Sequence, residues 1–368
     1  MIDTLRASFA GDAAHMKIPQ DTATVFGIWG QDANKHLINL ALMVVYDTEN
    51  TTSWTRFLAA VKTHYPTMDT DDMFIIADGD KGFKGAFAEV FEHGHRFLCA
   101  HHKSGNLRTQ KGVQRDDVVQ YWKAVKAATI PLSKMFVSRM TQPAQDYLAK
   151  TPSSELYLAY VGGKTGGKSS SQLAETGNAT LAEMRFQQLT EGLMTFQQNE
   201  FTRLEKIRQK AKDYNPDELV PPAHRLDLSK MQEEITAKGW DFTATFAEGD
   251  GVCVVTSKTD PSKKFYLKLG QPGSCSCGES VAKAVPCIHE IYAARCAGKD
   301  PALMYPPQAT ATAWKATYAA MVRPPHLWCM FLRPRTGNTP PPQPVSHRVT
   351  PSYAAHDLNP GTLCYLPG

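Results

Sequence analysis

At 368 residues, with 42% hydrophobic and 21% charged side chains, the chain has the balance of a soluble globular protein with room for two or three domains. No apolar run is long enough to cross a bilayer and the N-terminus lacks the basic, apolar, small-residue order of a secretory signal, so an intracellular protein with no membrane partner is expected. A net charge of +4 is too small to establish a nucleic-acid partner, and eight partly clustered cysteines in a chain this long point to metal ligation under reducing conditions rather than to a disulfide framework.

The first hundred residues read as alternating strands and helices. Arg6–Lys17 reads as a strand carrying Asp12, and Ala23–Trp29 and Leu37–Val45, rich in β-formers, follow it in a meander with turn chemistry at Gln31–Asn34. Ser53 is placed to cap a helix in which Trp54, Phe57, Leu58 and Val61 recur at the spacing of one buried face, closed by Pro66. The apolar run Met73–Ala77 predicts a strand covered on both sides, with Asp78 at its C-terminal end. A helix follows, with Phe83, Ala86, Phe87, Val90 and Phe91 on one face, and His95–His102 returns to an extended pattern. The order is βββαβαβ.

Helical sequence follows: Val118, Trp122 and Val125 fit one face, Leu132, Met135 and Phe136 a second run, and Tyr147 and Leu148 a third. Trp122 is expected to pack in a core, with base stacking as the alternative. Gly162–Ser169 matches the P-loop order formally, after a candidate strand at Leu156–Val161, but no parallel βαβ series follows; a flexible basic approach to DNA is expected instead. The Glu175 helix continues toward Leu189, Leu193, Phe196, Leu204 and Ile207, and carries the basic residues Arg203, Lys206, Arg208, Lys210 and Lys212, which suit either phosphate contact or a solvated face. Asn215–Pro216 and Pro221–Pro222 mark a linker, after which Ser229 and Gln232 form a capping-box pattern and Gly239 a helix stop. Strands are expected at Phe242–Phe246, Val252–Thr256 and Phe265–Leu269, and a short helix around Ile291–Arg295 ends at Gly298.

The most specific pattern is Cys275-Ser-Cys277, nine residues, then Cys287-Ile-His289. Two close pairs of thiolate and imidazole ligands can close a tetrahedral zinc shell with no open position for substrate, so the ion is structural. In extended chain, positions i and i+2 face one way, so a strand end offers both Cys275 and Cys277; the helix opened after Pro286 presents Cys287 and His289 in its first turn. Cys253, Cys296, Cys329 and Cys364 read as ordinary thiols.

This Cys-x-Cys, loop, Pro-Cys-x-His pattern resembles the SWIM zinc finger, a module of Mutator-like transposases and their domesticated descendants. The strand order with its two aspartates resembles a ribonuclease H-like domain. Asp12 in Gly-Asp-Ala-Ala-His-Met-Lys, Glu49-Asn50 with Ser53-Trp54, Ala77-Asp78-Gly-Asp-Lys-Gly82-Phe83 and Cys99-Ala-His-His102 are similar to successive signatures of the Mutator-like element (MULE) transposase catalytic domain. Ser171-Gln-Leu-Ala-Glu175-Thr-Gly-Asn178 is similar to the family's segment with the third acidic residue, with Gln172 in place of that motif's first Asn.

The resemblance implies an α/β chain in which residues 1–213 form a ribonuclease H-like domain with a helical insertion at about 104–165. A linker at 214–226, a small α+β SWIM-type module at 227–310, a short extension at 311–334 and a Pro-rich, disordered tail at 335–368 follow. It also implies that Asp12, Asp78 and Glu175 bind catalytic Mg²⁺ or Mn²⁺, beside the structural Zn²⁺. Two such ions about 4 Å apart activate an attacking hydroxyl and stabilise the leaving oxygen of a phosphodiester. Water would first expose a DNA 3′-hydroxyl, which then attacks the target strand. Asp80 competes with Asp78, Glu183 with Glu175 and Asp3 with Asp12, and an Asp at a strand end is often only a helix cap. Cys99 and His102 are either two further zinc ligands, or a buried thiol and a hydrogen-bonded histidine, or, for His102, a group orienting the nucleic acid. DNA is the expected partner, the nucleus the expected location, and self-association is open. The N-terminal DNA-binding domain expected in the family is missing from the sequence, which leaves a truncated, inactive transposase within the expectation. The alternative is a domesticated, non-catalytic nuclear regulator using the scaffold and the zinc module only for binding.

Overall fold

The computed structural model describes residues 5, 8–17, 23–79, 82–237, 242–247, 249, 251–319 and 329–332. Asp3, Asp80, Gly239 and the Pro-rich tail lie outside the described residues.

Three strands, β1 (Ser8–His15), β2 (Thr24–Gln31) and β3 (Leu37–Val45), form the antiparallel meander. All nine residues of β3 are buried, as its unbroken apolar run requires of a strand covered on both faces. Helix α1 (Thr51–His64) buries Trp54, Phe57, Leu58 and Val61, but its cap is Asn50, whose side chain accepts from the backbone N–H of Ser53 at 2.9 Å. Ser53 therefore sits one turn inside the helix that it was expected to open. Next come β4 (Phe74–Ala77), α2 (Phe83–Val90) and β5 (His95–Leu98). The extended pattern stops at Leu98: Ala100, Ser104 and Leu107 are buried at helical spacing, and α3 (Ala100–Arg108) begins at once with Cys99 as its cap.

The helical insertion continues with α4 (Arg115–Val125), α5 (Ile130–Ser138) and α6 (Gln142–Ala149), around a core that includes Tyr121, Ala124, Val125 and Leu148. Trp122 is half-buried against this core. Leu132 and Met135, expected on the buried face of α5, are exposed instead, because Ser133 turns inward to donate to the Ala124 carbonyl at 3.0 Å. Two 3₁₀ turns, Ser153–Glu155 and Leu158–Tyr160, replace the expected strand at Leu156–Val161. Beyond them lie α7 (Gln172–Thr180), α8 (Ala182–Arg185) and α9 (Leu189–Lys212). Helix α10 (Pro222–Ala237) starts seven residues before Ser229, with Pro222 at its first position, where the missing N–H has no partner to lose. The antiparallel sheet β6 (Phe242–Phe246), β7 (Val252–Ser257) and β8 (Lys264–Lys268) is followed by α11 (Glu279–Lys283), α12 (Ile288–Cys296), α13 (Ala311–Ala319) and β9 (Cys329–Leu332). Among the described residues no helix is long and apolar enough to cross a membrane.

The main sheet runs β5-β4-β1-β2-β3-β9, mixed in direction: β4 is parallel to β1, β5 to β4 and β9 to β3. One face is covered by α1 and α2, with Trp54 edge-on to Phe26 (4.8 Å) and Phe83 (4.9 Å). The other is covered by α7, α8 and the first half of α9, around Trp29. At 24 residues α9 spans about 36 Å, and its second half joins α13 in the first layer. Buried Asp32, at the β2–β3 turn, accepts from the Trp314 indole N–H at 2.9 Å and the Tyr318 hydroxyl at 2.8 Å, which fastens α13 to the sheet.

Candidate functional site

Asp12 lies on β1, opposite Gly27 of β2. The parallel ladder pairs Ala10 with Ile76, so Asp12 and Asp78 each stand two residues beyond a paired position on neighbouring strands. Because side chains alternate along a strand, both carboxylates belong to the face carrying Ala10 and Ile76, opposite the α1–α2 layer. The third residue comes from α7, which crosses that face: the Asn178 amide donates to Asp12 Oδ2 at 2.7 Å, and Glu175 stands one turn earlier on the same side of the helix. Asp12 and Asp78 are half-buried, and Glu175 is exposed.

Helix α7 approaches this closely because of Gly177. A Cβ there would lie 2.2 Å from the Trp29 indole, and one at Gly27 would lie 2.3 Å from the same ring. The two glycines thus leave a slot for Trp29, which is fully buried, and the seated indole sets the height of α7 over Asp12. Asn178 and Gly177 belong to the motif quoted for Glu175, but their roles were not legible there, since a contact across 166 residues leaves no local signal.

The other signature residues are structural supports. Glu49 accepts from the Trp54 indole N–H at 3.1 Å, and Asn50 caps α1. Gly82 lets α2 press on the start of α1, where a Cβ would meet the Thr51 nitrogen at 2.3 Å. The buried Cys99 thiol accepts from the backbone N–H of Ser171, the α7 cap, at 3.3 Å, and the Ala100 N–H donates to Ser169 at 2.7 Å. Cys99 therefore ties α3 to the approach of α7. His102 Nδ1 lies 3.9 Å from Asp78 Oδ2, an ion-pair distance for a protonated imidazole but too long for a hydrogen bond.

The glycine-rich segment 162–168 is no open approach for DNA. Lys164 is bound to the Asp71 carbonyl and to Asp72, both at 3.0 Å, and Lys168 to Gln31. Gly163 and Gly167, both with positive φ, face the backbone of α11: a Cβ would lie 1.9 Å from the Val281 carbonyl oxygen at the first and 2.6 Å from that of Lys283 at the second. Only glycine serves a left-handed conformation and backbone contact together. The segment seats the spacer helix of the Cys/His site against the run that leads into α7.

That site is the one group of three or more Cys, His, Asp or Glu among the described residues drawn close enough to hold an ion: one ligand atom from each of Cys275, Cys277, Cys287 and His289 lies within 4.8 Å of the others. The three carboxylates do not form such a group. Cys275–Cys277 runs beside β8, with Ser276 N–H donating to the Tyr266 carbonyl at 2.8 Å and the Ser276 hydroxyl accepting from Tyr266 N–H at 2.9 Å, so both thiols face away from that ladder. Cys287 caps α12 and His289 lies in its first turn, stacked on Phe265 at 3.7 Å. His289 Nδ1 is 3.8 Å from the sulfurs of both Cys275 and Cys287. A tetrahedral ion with bonds of about 2.3 Å to sulfur and 2.0–2.1 Å to nitrogen puts those atoms about 3.6 Å apart. The donors therefore fit zinc.

Glu290, which sequence reasoning missed, is fully buried beneath the cluster. It accepts from the backbone N–H of Cys275 at 3.4 Å and of Cys287 at 3.0 Å, and so clamps the two ligand pairs together. Burial raises its carboxyl pKa, against the lowering effect of those N–H donors. A Glu three residues after Cys287 is a capping-box spacing that could have revealed the clamp. Among the thiols, hydrogen bonds from Cys275 and then Cys287 lower the Cys277 pKa, while the bond to Cys277 raises that of Cys275 to about 12. Cys287 is raised too, by its bonds to Cys275 and Cys277 and then by burial. Protons held on the last two must leave when a metal enters.

Residues 12–106 match the family model of the MULE transposase domain. The match begins at Asp12 and includes Asp78, Cys99 and His102; Glu175 and the Cys/His site lie beyond it. A comparison with curated proteins returns no match.

Proposed function

We propose that the chain is a MULE-type DNA transposase, or a piece of one, in which a ribonuclease H-like centre hydrolyses and rejoins phosphodiesters and a SWIM-type zinc module supports it. The observation that carries this reading is the placement of Asp12 and Asp78 at matched positions of paired parallel strands, with α7 bound to Asp12 through Asn178. The strand order β5-β4-β1-β2-β3 and the match that starts at Asp12 support it.

Asp12 and Asp78, with Glu175 arriving from α7, would hold Mg²⁺ or Mn²⁺. These are hard oxygen donors suited to such cations, which supply activation of a hydroxyl and stabilisation of the leaving oxygen. Asn178 orients the Asp12 carboxylate by holding one oxygen, while the Ala13 N–H holds the other at 2.9 Å. His102, beside Asp78, is placed to meet a phosphate or to balance the carboxylate charge. The work belongs with DNA in the nucleus.

The test is strand cleavage of labelled DNA by the purified chain with Mg²⁺ or Mn²⁺, set against Asp12→Asn. Cleavage that falls to the protein-free background in the variant, with DNA affinity kept, is the expected result. DNA binding without cleavage in the wild type, unchanged by Asp12→Asn, would replace this reading with a non-catalytic regulator built on the same scaffold; the three carboxylates, not drawn together as the zinc ligands are, favour that reading as the second.

A further inference from the structure

A cavity of about 220 Å³ opens beside Asp78, on the side of the insertion. Four cationic side chains line it from four different elements: Lys84 from α2, Arg96 from β5, Lys103 from α3 and Lys150 just past α6. Two carboxylates, Asp78 and Glu155, stand against them, so the wall carries a positive excess next to the proposed centre. Convergence from four elements separates this cluster from a charge run along one helix, which is ordinarily a solvated face.

The cations differ in how firmly they are set. Arg96 is buried and paired with Glu155, forming a fixed floor. The Lys103 ammonium donates to the Thr151 hydroxyl at 3.1 Å and lies 4.1 Å over the Tyr147 ring, which holds it in place. Lys84 and Lys150 are exposed and stand at the mouth. At 220 Å³ the cavity is smaller than the roughly 300 Å³ at which pockets for drug-sized molecules begin. The aromatic ring in its wall already has Lys103 over its face, which disfavours a stacked base. A compact anion fits both the size and the charge.

We propose that this cavity binds a backbone phosphate of the nucleic-acid strand that runs past Asp78, one step removed from the bond to be cut. The assignment rests on the nuclease reading above and deepens it by naming where the flanking strand is gripped. The competing surface is the basic run on α9, but there Arg203 is bound to Glu200 and the Leu37 carbonyl and Arg208 to Glu205, which leaves Lys206, Lys210 and Lys212.

The test reads binding, so its outcome is separate from that of the cleavage assay. Anisotropy of a labelled single-stranded oligonucleotide, without added divalent ion, is titrated from low to moderate salt for the wild type, for Lys84→Gln/Lys150→Gln and for Lys206→Gln/Lys210→Gln. Each lysine removed from a phosphate flattens the slope of log affinity on log salt by about 0.7, so the cavity variant should lose about 0.7–1.4 and the α9 variant nothing. An unchanged slope in the cavity variant, or a wild type that does not bind the oligonucleotide, overturns the assignment. A second arm adds inorganic phosphate at constant ionic strength: displacement of the strand no better than by chloride supports a strand phosphate. Preferential displacement that the cavity variant abolishes while its slope stays unchanged assigns the cavity to a free anion and overturns the proposal.

Discussion

The two ligand sets differ in how far apart in the chain their parts lie. Cys275 and His289 are 14 residues apart, on one strand edge and one helix turn clamped by Glu290. Asp12 and the Asn178 that brings in the third carboxylate are 166 residues apart, and they meet only because a sheet register and a docked helix agree. A local site can close on its own ligands, whereas a long-range site inherits every error in the layers beneath it. The carboxylates also repel one another until cations join them, which fits their looser assembly.

Removing the metal should have the largest effect. Binding of structural zinc carries about 10–16 kcal/mol at neutral pH, so chelation or Cys287→Ala should unfold the β6–β8 and α12 unit. Hydrogen exchange read by mass spectrometry should show loss of protection there, and at residues 162–168 through their contact with α11, while β1–β3 keep theirs. Concurrent loss in β1–β3 would break the comparison by making the zinc site a support of the whole molecule.

Gly177→Ala attacks the long-range site. Its Cβ overlaps Trp29, so a loss of about 1–3 kcal/mol is expected in denaturant titration, and α7 should shift away from Asp12. Zinc affinity should not change. Glu290→Gln addresses the local site: a second-shell change of this kind lowers metal affinity about 10- to 100-fold, measurable by competition with a chromogenic chelator. If affinity is unchanged, the clamp is not what orders the ligands.

Zinc affinity should also rise with pH across the neutral range, because the raised Cys275 and Cys287 thiols release protons on binding; calorimetry in buffers of different ionisation heat measures that release. The smallest effect is expected at the exposed Lys283–Glu279 pair of the spacer helix, where Lys283→Ala should cost about 0.3–0.5 kcal/mol or less in thermal melting.

The amino-acid order by itself determined the local features. Apolar periodicity placed α1, α2 and β3, and ligand spacing placed the zinc donors, because those signals act within a few residues. Local reading misplaced the α1 cap, the end of β5 and the start of α10, where neighbouring residues offered competing signals. Only the tertiary structure decided the face shared by Asp12 and Asp78, the Asn178 contact, the Trp29 slot between two glycines and the seating of 162–168 against α11. Each depends on which surfaces meet after the sheet has formed, and hydrophobic packing and backbone approach between distant segments have no sequence period to betray them.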